Sequence, residues 1–200
     1  MKIICIGRNY AEHAKEMKAE LPKEPVFFLK PDTALLKENE FYLPDFTSDL
    51  HHELEVVLKI CKSGKNIEEQ FAKNYYEEIG LGIDFTARDI QAKCKEKGLP
   101  WEKAKAFDCS APIGKFIPKP EAGNPIQFEL KINGEIKQSG TTNDLIFSFD
   151  KIISYVSRFI TLKTGDLIFT GTPEGVGPVK IGDNLEAYLN GELNFNLKIK

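Results

Sequence analysis

Three acidic residues are spaced so that they could hold a cation: Glu53 and Glu55, alternate residues in HHELEVVLKI, and Asp84, which ends the run Leu81-Gly82-Ile83. In an extended strand alternate side chains share a face, so Glu53 and Glu55 point one way while Leu54 and Val56 point the other. Like charges side by side repel. A divalent cation between their oxygens is one remedy, and a solvated strand face is the other. Asp84 stands where a strand gives way to a helix, a position that suits a helix N-cap as well as a ligand. A set of three carboxylates without histidine or thiolate matches a hard ion, Mg²⁺ or Mn²⁺, with open positions left for water and substrate. A metal with such positions can act as a Lewis acid.

Several elements must position these groups. Residues 2–6 (KIICI) read as a buried strand ended by Gly7. The following NYAEHAKEMKAEL offers only Ala11, Ala14, Met17 and Leu21 as an apolar stripe, which predicts a solvent-facing or mobile helix. From Pro22 to Leu50, prolines punctuate short apolar runs and predict short strands and loops. HHELEVVLKI is the clearest internal strand, and IEEQFAKNYYEEI after it has the pattern of an amphipathic helix. LGIDFTARDIQAKCKEKG then moves from strand to helix. Beyond Pro100 the pattern is mostly β, with Asn133-Gly134 and Asn190-Gly191 each set between alternating residues as in type I′ hairpins. FDKIISYVSRFI is one further helix, and DLIFTGTPEGVGPV runs from a strand into a Gly/Pro-rich loop.

Composition narrows the classes of function. At 200 residues, with 42% hydrophobic and 28% charged residues, the chain is expected to form one core, a single domain over 1–200. A net charge of −3 without long runs of either sign gives no footprint for nucleic acid, and no amphipathic anchor points to a membrane. The apolar run at the start breaks at Gly7, Arg8 and Asn9, too early for a signal segment, so a cytoplasmic location is expected. Cys5, Cys61, Cys94 and Cys109 form no C-x-x-C pair, which predicts reduced thiols rather than a zinc site or a disulfide framework.

Six segments in order (IGRNYAEHAKEM, FLKP, HHELEVV, DFTARDIQ, KGLPWEKAKAFD and TGTPEGVGPV) resemble the fumarylacetoacetate hydrolase family, above all its short acylpyruvate hydrolase and oxaloacetate decarboxylase subgroup. The resemblance implies an α+β, mostly β fold, a mixed β-sandwich or β-roll with a few peripheral helices. It implies Glu53, Glu55 and Asp84 as ligands of Mg²⁺, or of Mn²⁺ in its place. His13 and Glu16 become a catalytic dyad on a lid segment spanning 8–24, where their spacing on a helix puts both on one face. Lys105 matches an active-site lysine, and Arg8, Arg88, Gln91 and Thr172 fall in motifs that line the substrate pocket. His51 shares the glutamates' parity and is expected to support the site or simply to pack. The implied activity is hydrolysis of the C–C bond of acylpyruvates with release of pyruvate, with decarboxylation of oxaloacetate at the same site. Isomerisation, hydration or tautomerisation of unsaturated or enolic 2-oxo acids is the alternative. A noncatalytic metal-binding homo-oligomer is the reading of another class. The implied partners are a small 2-oxo acid and a second copy of the chain in a homodimer. Lys115 stands where the family often has proline, which leaves the turn after Gly114 open.

Overall fold

A computed structural model of the chain describes residues 1–16 and 20–200. Its largest sheet has six strands in the order Ile117–Pro118, Tyr76–Ile83, Leu54–Ile60, Leu167–Phe169, Ile3–Gly7 and Val26–Lys30. The pairings are antiparallel except that of Ile3–Gly7 with Leu167–Phe169, which is parallel. A second sheet of five strands runs Glu135–Thr141, Gln127–Ile132, Asn184–Leu189, Glu192–Ile199 and Glu40–Phe41. Short strands Gly177–Pro178, Leu50–His52 and Thr86–Ala87 make a third. This is the mostly β, α+β architecture the sequence implied, with short peripheral helices.

The main core lies between the two large sheets. Ile4, Ile6, Leu54, Val56 and Leu58 from one meet Phe128, Leu130, Leu185 and Leu197 from the other. Strand parity divides the six-stranded sheet cleanly. Ile3, Cys5, Val57 and Phe169 turn to its opposite face, where a second cluster forms with Ala34 and Ala111. Because Ile3–Gly7 is covered on both faces, it reads in sequence as an unbroken apolar run.

Both Asn-Gly hairpins are present. Gln127–Ile132 pairs with Glu135–Thr141, and Asn184–Leu189 with Glu192–Ile199. Asn133 and Asn190 take the left-handed φ values, 53° and 49°, that this turn requires. The helix in FDKIISYVSRFI spans Phe149–Phe159, capped by Ser148, whose side chain accepts from the Lys151 N–H at 3.2 Å. The helix expected over IEEQFAKNYYEEI is a correction. Only Glu69–Ala72 is helical, and Tyr76 already begins the strand Tyr76–Ile83. Tyr76 and Ile79 fall within the expected helix, but pairing with Leu54–Ile60 captures them, a long-range gain that no local period reveals. The first helix is Ala11–Glu16, and Met17, Lys18 and Ala19 of the expected lid lie outside the described residues.

Asn9 ties this first segment down. Wholly buried, it donates to the carbonyls of Phe147 (3.1 Å) and Thr170 (2.8 Å) and accepts from the Phe147 N–H (2.7 Å). Replacing Asn9 with Ala strands these buried backbone groups and should cost about 3 kcal/mol of stability. The midpoint of thermal unfolding should fall by roughly 10 °C. A fall within experimental error would show that the bridge carries no stability.

Candidate functional site

The glutamate strand is interrupted where the chemistry sits. Leu50–His52 belongs to the three-stranded sheet and Leu54–Ile60 to the six-stranded one, so Glu53 occupies the junction rather than a continuous strand. The parity argument nevertheless holds in its outcome: Leu54 and Val56 enter the main core, and the two glutamates converge. Asp84 is brought in by strand register. Leu54 pairs with Ile83 and Glu55 with Gly82, so the next residue along, Asp84, falls beside Glu53, and its N–H donates to the Glu53 carbonyl at 2.8 Å. It does not cap the following helix, Arg88–Lys97, whose N-cap is Ala87. One oxygen from each of the three carboxylates lies within 4.8 Å of the others. All three groups are buried, with 6%, 2% and 1% exposure for Glu53, Glu55 and Asp84, which removes the solvated-face reading.

Buried anions need cations, and the protein supplies them unevenly. Lys105 Nζ donates to Glu53 Oε2 (2.7 Å), Asp84 Oδ2 (2.6 Å) and Thr86 Oγ1 (2.5 Å). Arg88 Nη2 reaches Glu53 Oε1 at 2.6 Å. Burial by itself would raise the Glu53 carboxyl, but Lys105 and Arg88 override it and hold the group well below the usual carboxylate range. Burial likewise opposes the Lys105 charge, and the Asp84 and Glu53 carboxylates reverse that and keep it firmly protonated. Glu55 is the exception. Burial and then the Asp84 charge push it well above its ordinary value, opposed chiefly by the Gly171 N–H, which donates to its Oε2 at 2.6 Å. The cluster therefore lacks positive charge on its Glu55 side. Asp84 Oδ1 lies 2.8 Å from Lys30 Nζ without a directed hydrogen bond. An all-oxygen set with unsatisfied acceptors fits a hard divalent cation.

The Gly171 contact depends on backbone shape. Gly171 has φ 106°, and a Cβ there would come within 2.7 Å of the Asn9 Cβ, so only glycine brings this N–H onto Glu55. Asn9 thus braces both the loop and the segment that carries His13.

The cleft above the carboxylates is lined by Arg8, His13, Arg88, Gln91, Lys105 and Thr172. His13 Nδ1 lies 3.1 Å from Glu16 Oε2. The other Glu16 oxygen, Oε1, accepts from the Gly175 N–H at 3.2 Å, which moors the dyad to the TGTPEG loop. Arg8 holds a left-handed φ of 60° and has no acidic partner among the described residues. A strained cation at a cleft wall is a mark of a binding role. His51 is set apart, its Nε2 paired with Asp49 Oδ1 at 2.9 Å. A larger open groove of about 600 Å³, lined by Ile113, Phe116, Leu193 and Phe195 among others, contains no Asp, Glu or His and so offers no comparable chemistry.

Sequence reasoning missed Lys30, Lys95 and Trp101. Lys30 is 1% exposed, and its ammonium bonds the Ser110 carbonyl (2.9 Å) and hydroxyl (3.0 Å) besides facing Asp84. The FLKP match contained it, but a lysine ending a strand reads locally as solvated. Lys95 and Trp101 line the cleft mouth, with Lys95 Nζ 5.6 Å from the indole centroid.

The family model for the fumarylacetoacetate hydrolase C-terminal domain matches residues 2–198. The chain belongs to the fumarylacetoacetate hydrolase family. It is 47% identical to the mouse oxaloacetate tautomerase FAHD1, mitochondrial, over 99% of this chain and 91% of that protein. It is 43% identical to the oxaloacetate tautomerase YcgM of Escherichia coli K12, over 95% of this chain and 89% of that one. Among solved structures, the fumarylpyruvate hydrolase of Pseudomonas aeruginosa in complex with Mn²⁺ and pyruvate superposes with a TM-score of 0.94 at 39% identity, covering 100% of this chain and 89% of that one. The fold is thus that of the family, and the chain is an enzyme of it, which sets aside the noncatalytic reading. No helix is long and apolar enough to cross a membrane among the described residues.

Three outcomes follow from the carboxylate cluster. Mg²⁺ or Mn²⁺ at a hundredfold excess over its dissociation constant should stabilise the protein by about 2.7 kcal/mol, roughly 8 °C in thermal unfolding. Glu55→Gln should lose most of that shift yet unfold no earlier without metal, because an amide relieves the repulsion from Asp84; an unchanged metal response would remove Glu55 from the ligand set. Lys30→Met should cost about 3 kcal/mol, since it leaves Asp84 without one of its buried counter-charges, and denaturant unfolding would reveal a smaller role.

Proposed function

We propose that the chain is a Mg²⁺-dependent enzyme of small 2-oxo acids that interconverts the keto and enol forms of oxaloacetate, with Mn²⁺ as a substitute metal. The observation that carries this reading is the His13–Glu16 pair poised at the same cleft as the three carboxylates and Lys105. Its similarity to oxaloacetate tautomerases supports the choice of substrate. Glu53, Glu55 and Asp84 would hold the ion, and it would supply Lewis-acid polarisation that makes the substrate's C3–H more acidic.

The remaining work falls to side chains. His13 removes a proton from C3, the C–H electron pair becomes the C2=C3 bond, and the 2-oxo oxygen takes up a proton to complete the enol. Glu16 accepts from Nδ1–H, which fixes the tautomer and leaves Nε2 as the base. The Lys105 ammonium supplies positive charge beside the developing oxyanion. Gln91 accepts from Arg88 Nη1 at 2.8 Å through its oxygen, so its NH₂ is the end left for the substrate. Arg8, Arg88 and Thr172 complete the recognition of an anionic acid.

Hydrolysis of acylpyruvates is the second reading, favoured by the likeness to the fumarylpyruvate hydrolase. There His13 deprotonates a water that adds to the distal carbonyl, the C3–C4 bond breaks, and C3 is protonated to give pyruvate. The proposal includes a homodimer in the cytoplasm, acting on a small molecule and not on nucleic acid or membrane.

His13→Ala should slow oxaloacetate enol–keto exchange, followed by enol absorbance with Mg²⁺ present, by at least about 100-fold while leaving the metal-induced thermal shift intact. Pyruvate release from acetylpyruvate and fumarylpyruvate, measured alongside, separates the two readings. An undiminished rate in the variant would sink the assigned base.

A further inference from the structure

Gln138, on the strand Glu135–Thr141, does not line the cleft and is 1% exposed. Its amide touches two segments that do. Oε1 accepts from the Leu54 N–H at 2.9 Å and faces His52 Nδ1 at 3.0 Å, so it holds the backbone after Glu53 and the side chain before it. Nε2 lies 2.7 Å from Thr172 Oγ1 and 3.0 Å from the Pro173 carbonyl. Chemistry leaves this amide no freedom to flip. The Leu54 N–H can only donate and the Pro173 carbonyl can only accept, so oxygen must face the first and nitrogen the second.

One consequence reaches the cleft. Thr172 Oγ1 accepts a hydrogen bond from the Gln138 amide and therefore cannot direct its own proton there. No other partner of that hydroxyl occurs among the described residues, and Thr172 lines the cleft. The loop is also moulded onto the strand: a Cβ at Gly175 would come within 2.2 Å of the Lys137 carbonyl oxygen. We propose that Gln138 is a positioning residue that makes the Thr172 hydroxyl a hydrogen-bond donor into the cleft, selecting an anionic oxygen of the substrate. The inference rests on the reading of the site as one for 2-oxo acids.

Gln138→Glu tests it. A carboxylate still accepts from the Leu54 N–H, but at Thr172 it can only accept, so the hydroxyl turns toward it and presents lone pairs to the cleft. Oxalate, titrated calorimetrically into the Mg²⁺-loaded protein, should bind roughly 10- to 100-fold more weakly, the worth of a hydrogen bond to a charged group. KM for oxaloacetate should rise by a similar factor with a smaller change in kcat, because the contact is made to the bound substrate throughout. In a Thr172→Val background, where no hydroxyl remains to be oriented, the same Gln138→Glu change should weaken oxalate binding less than about twofold. Gln138→Met, uncharged and of similar length, should show the same dependence on Thr172 with a smaller loss, which covers the case in which the buried acid prevents folding. Equal losses in the Thr172 and Thr172→Val backgrounds, or no loss in either, overturn the proposal and leave Gln138 a strut. A wild-type protein that binds oxalate but shows that additivity refutes this inference alone. One that neither binds oxalate nor turns over any 2-oxo acid refutes the functional reading as well.

Discussion

Three carboxylates buried side by side are the constraint around which this molecule is organised. Left alone they would repel, and their charge is balanced by cations brought from distant parts of the chain. Lys105 comes from the short helix Glu102–Lys105, Arg88 from the start of Arg88–Lys97, and Lys30 from the end of an edge strand. Each lies against Glu53 or Asp84, and none bonds to Glu55. The electrostatic imbalance is thus local and directional, which is the property a metal site for a hard ion needs.

The sheets explain why the imbalance survives folding. Leu54–Ile60 and Tyr76–Ile83 are held in register by paired backbone bonds and by apolar side chains on both faces. Glu55 and Asp84 cannot separate without breaking that register, and a slip of one residue would exchange the two faces, setting Leu54, Val56 and Leu58 where Val57 packs. Hydrophobic burial therefore enforces a charge arrangement that electrostatics alone would disperse. Around this rigid floor, the cleft walls come from segments bound by polar side chains: Asn9 under the first segment and Gln138 under the TGTPEG loop. A stiff floor with amide-braced walls suits the proposed chemistry, which moves one proton within a small acid.

Legibility in the sequence followed the range of the interactions. The two Asn-Gly turns and the Phe149–Phe159 helix rest on local backbone preferences and were readable directly. Residues Tyr76–Ile79 were misread as helix because their strand is stabilised by a partner whose pairing no window of neighbouring residues contains. The parity of Glu53 and Glu55 was visible, yet not the break between strands at Glu53, since a change of sheet leaves the local alternation untouched.

By itself the sequence determined which residue types face one another along a strand, where the chain turns, and, through its ordered motifs, the family. Tertiary structure alone decided the proton affinity of Glu53, Glu55 and Lys105. Lys30 and Gln138 carry no local mark of burial, and their roles exist only because strands far apart in the chain enclose them. Proton affinity and hydrogen-bond direction depend on what surrounds a side chain in space, and that environment is set by register and packing rather than by neighbours in sequence.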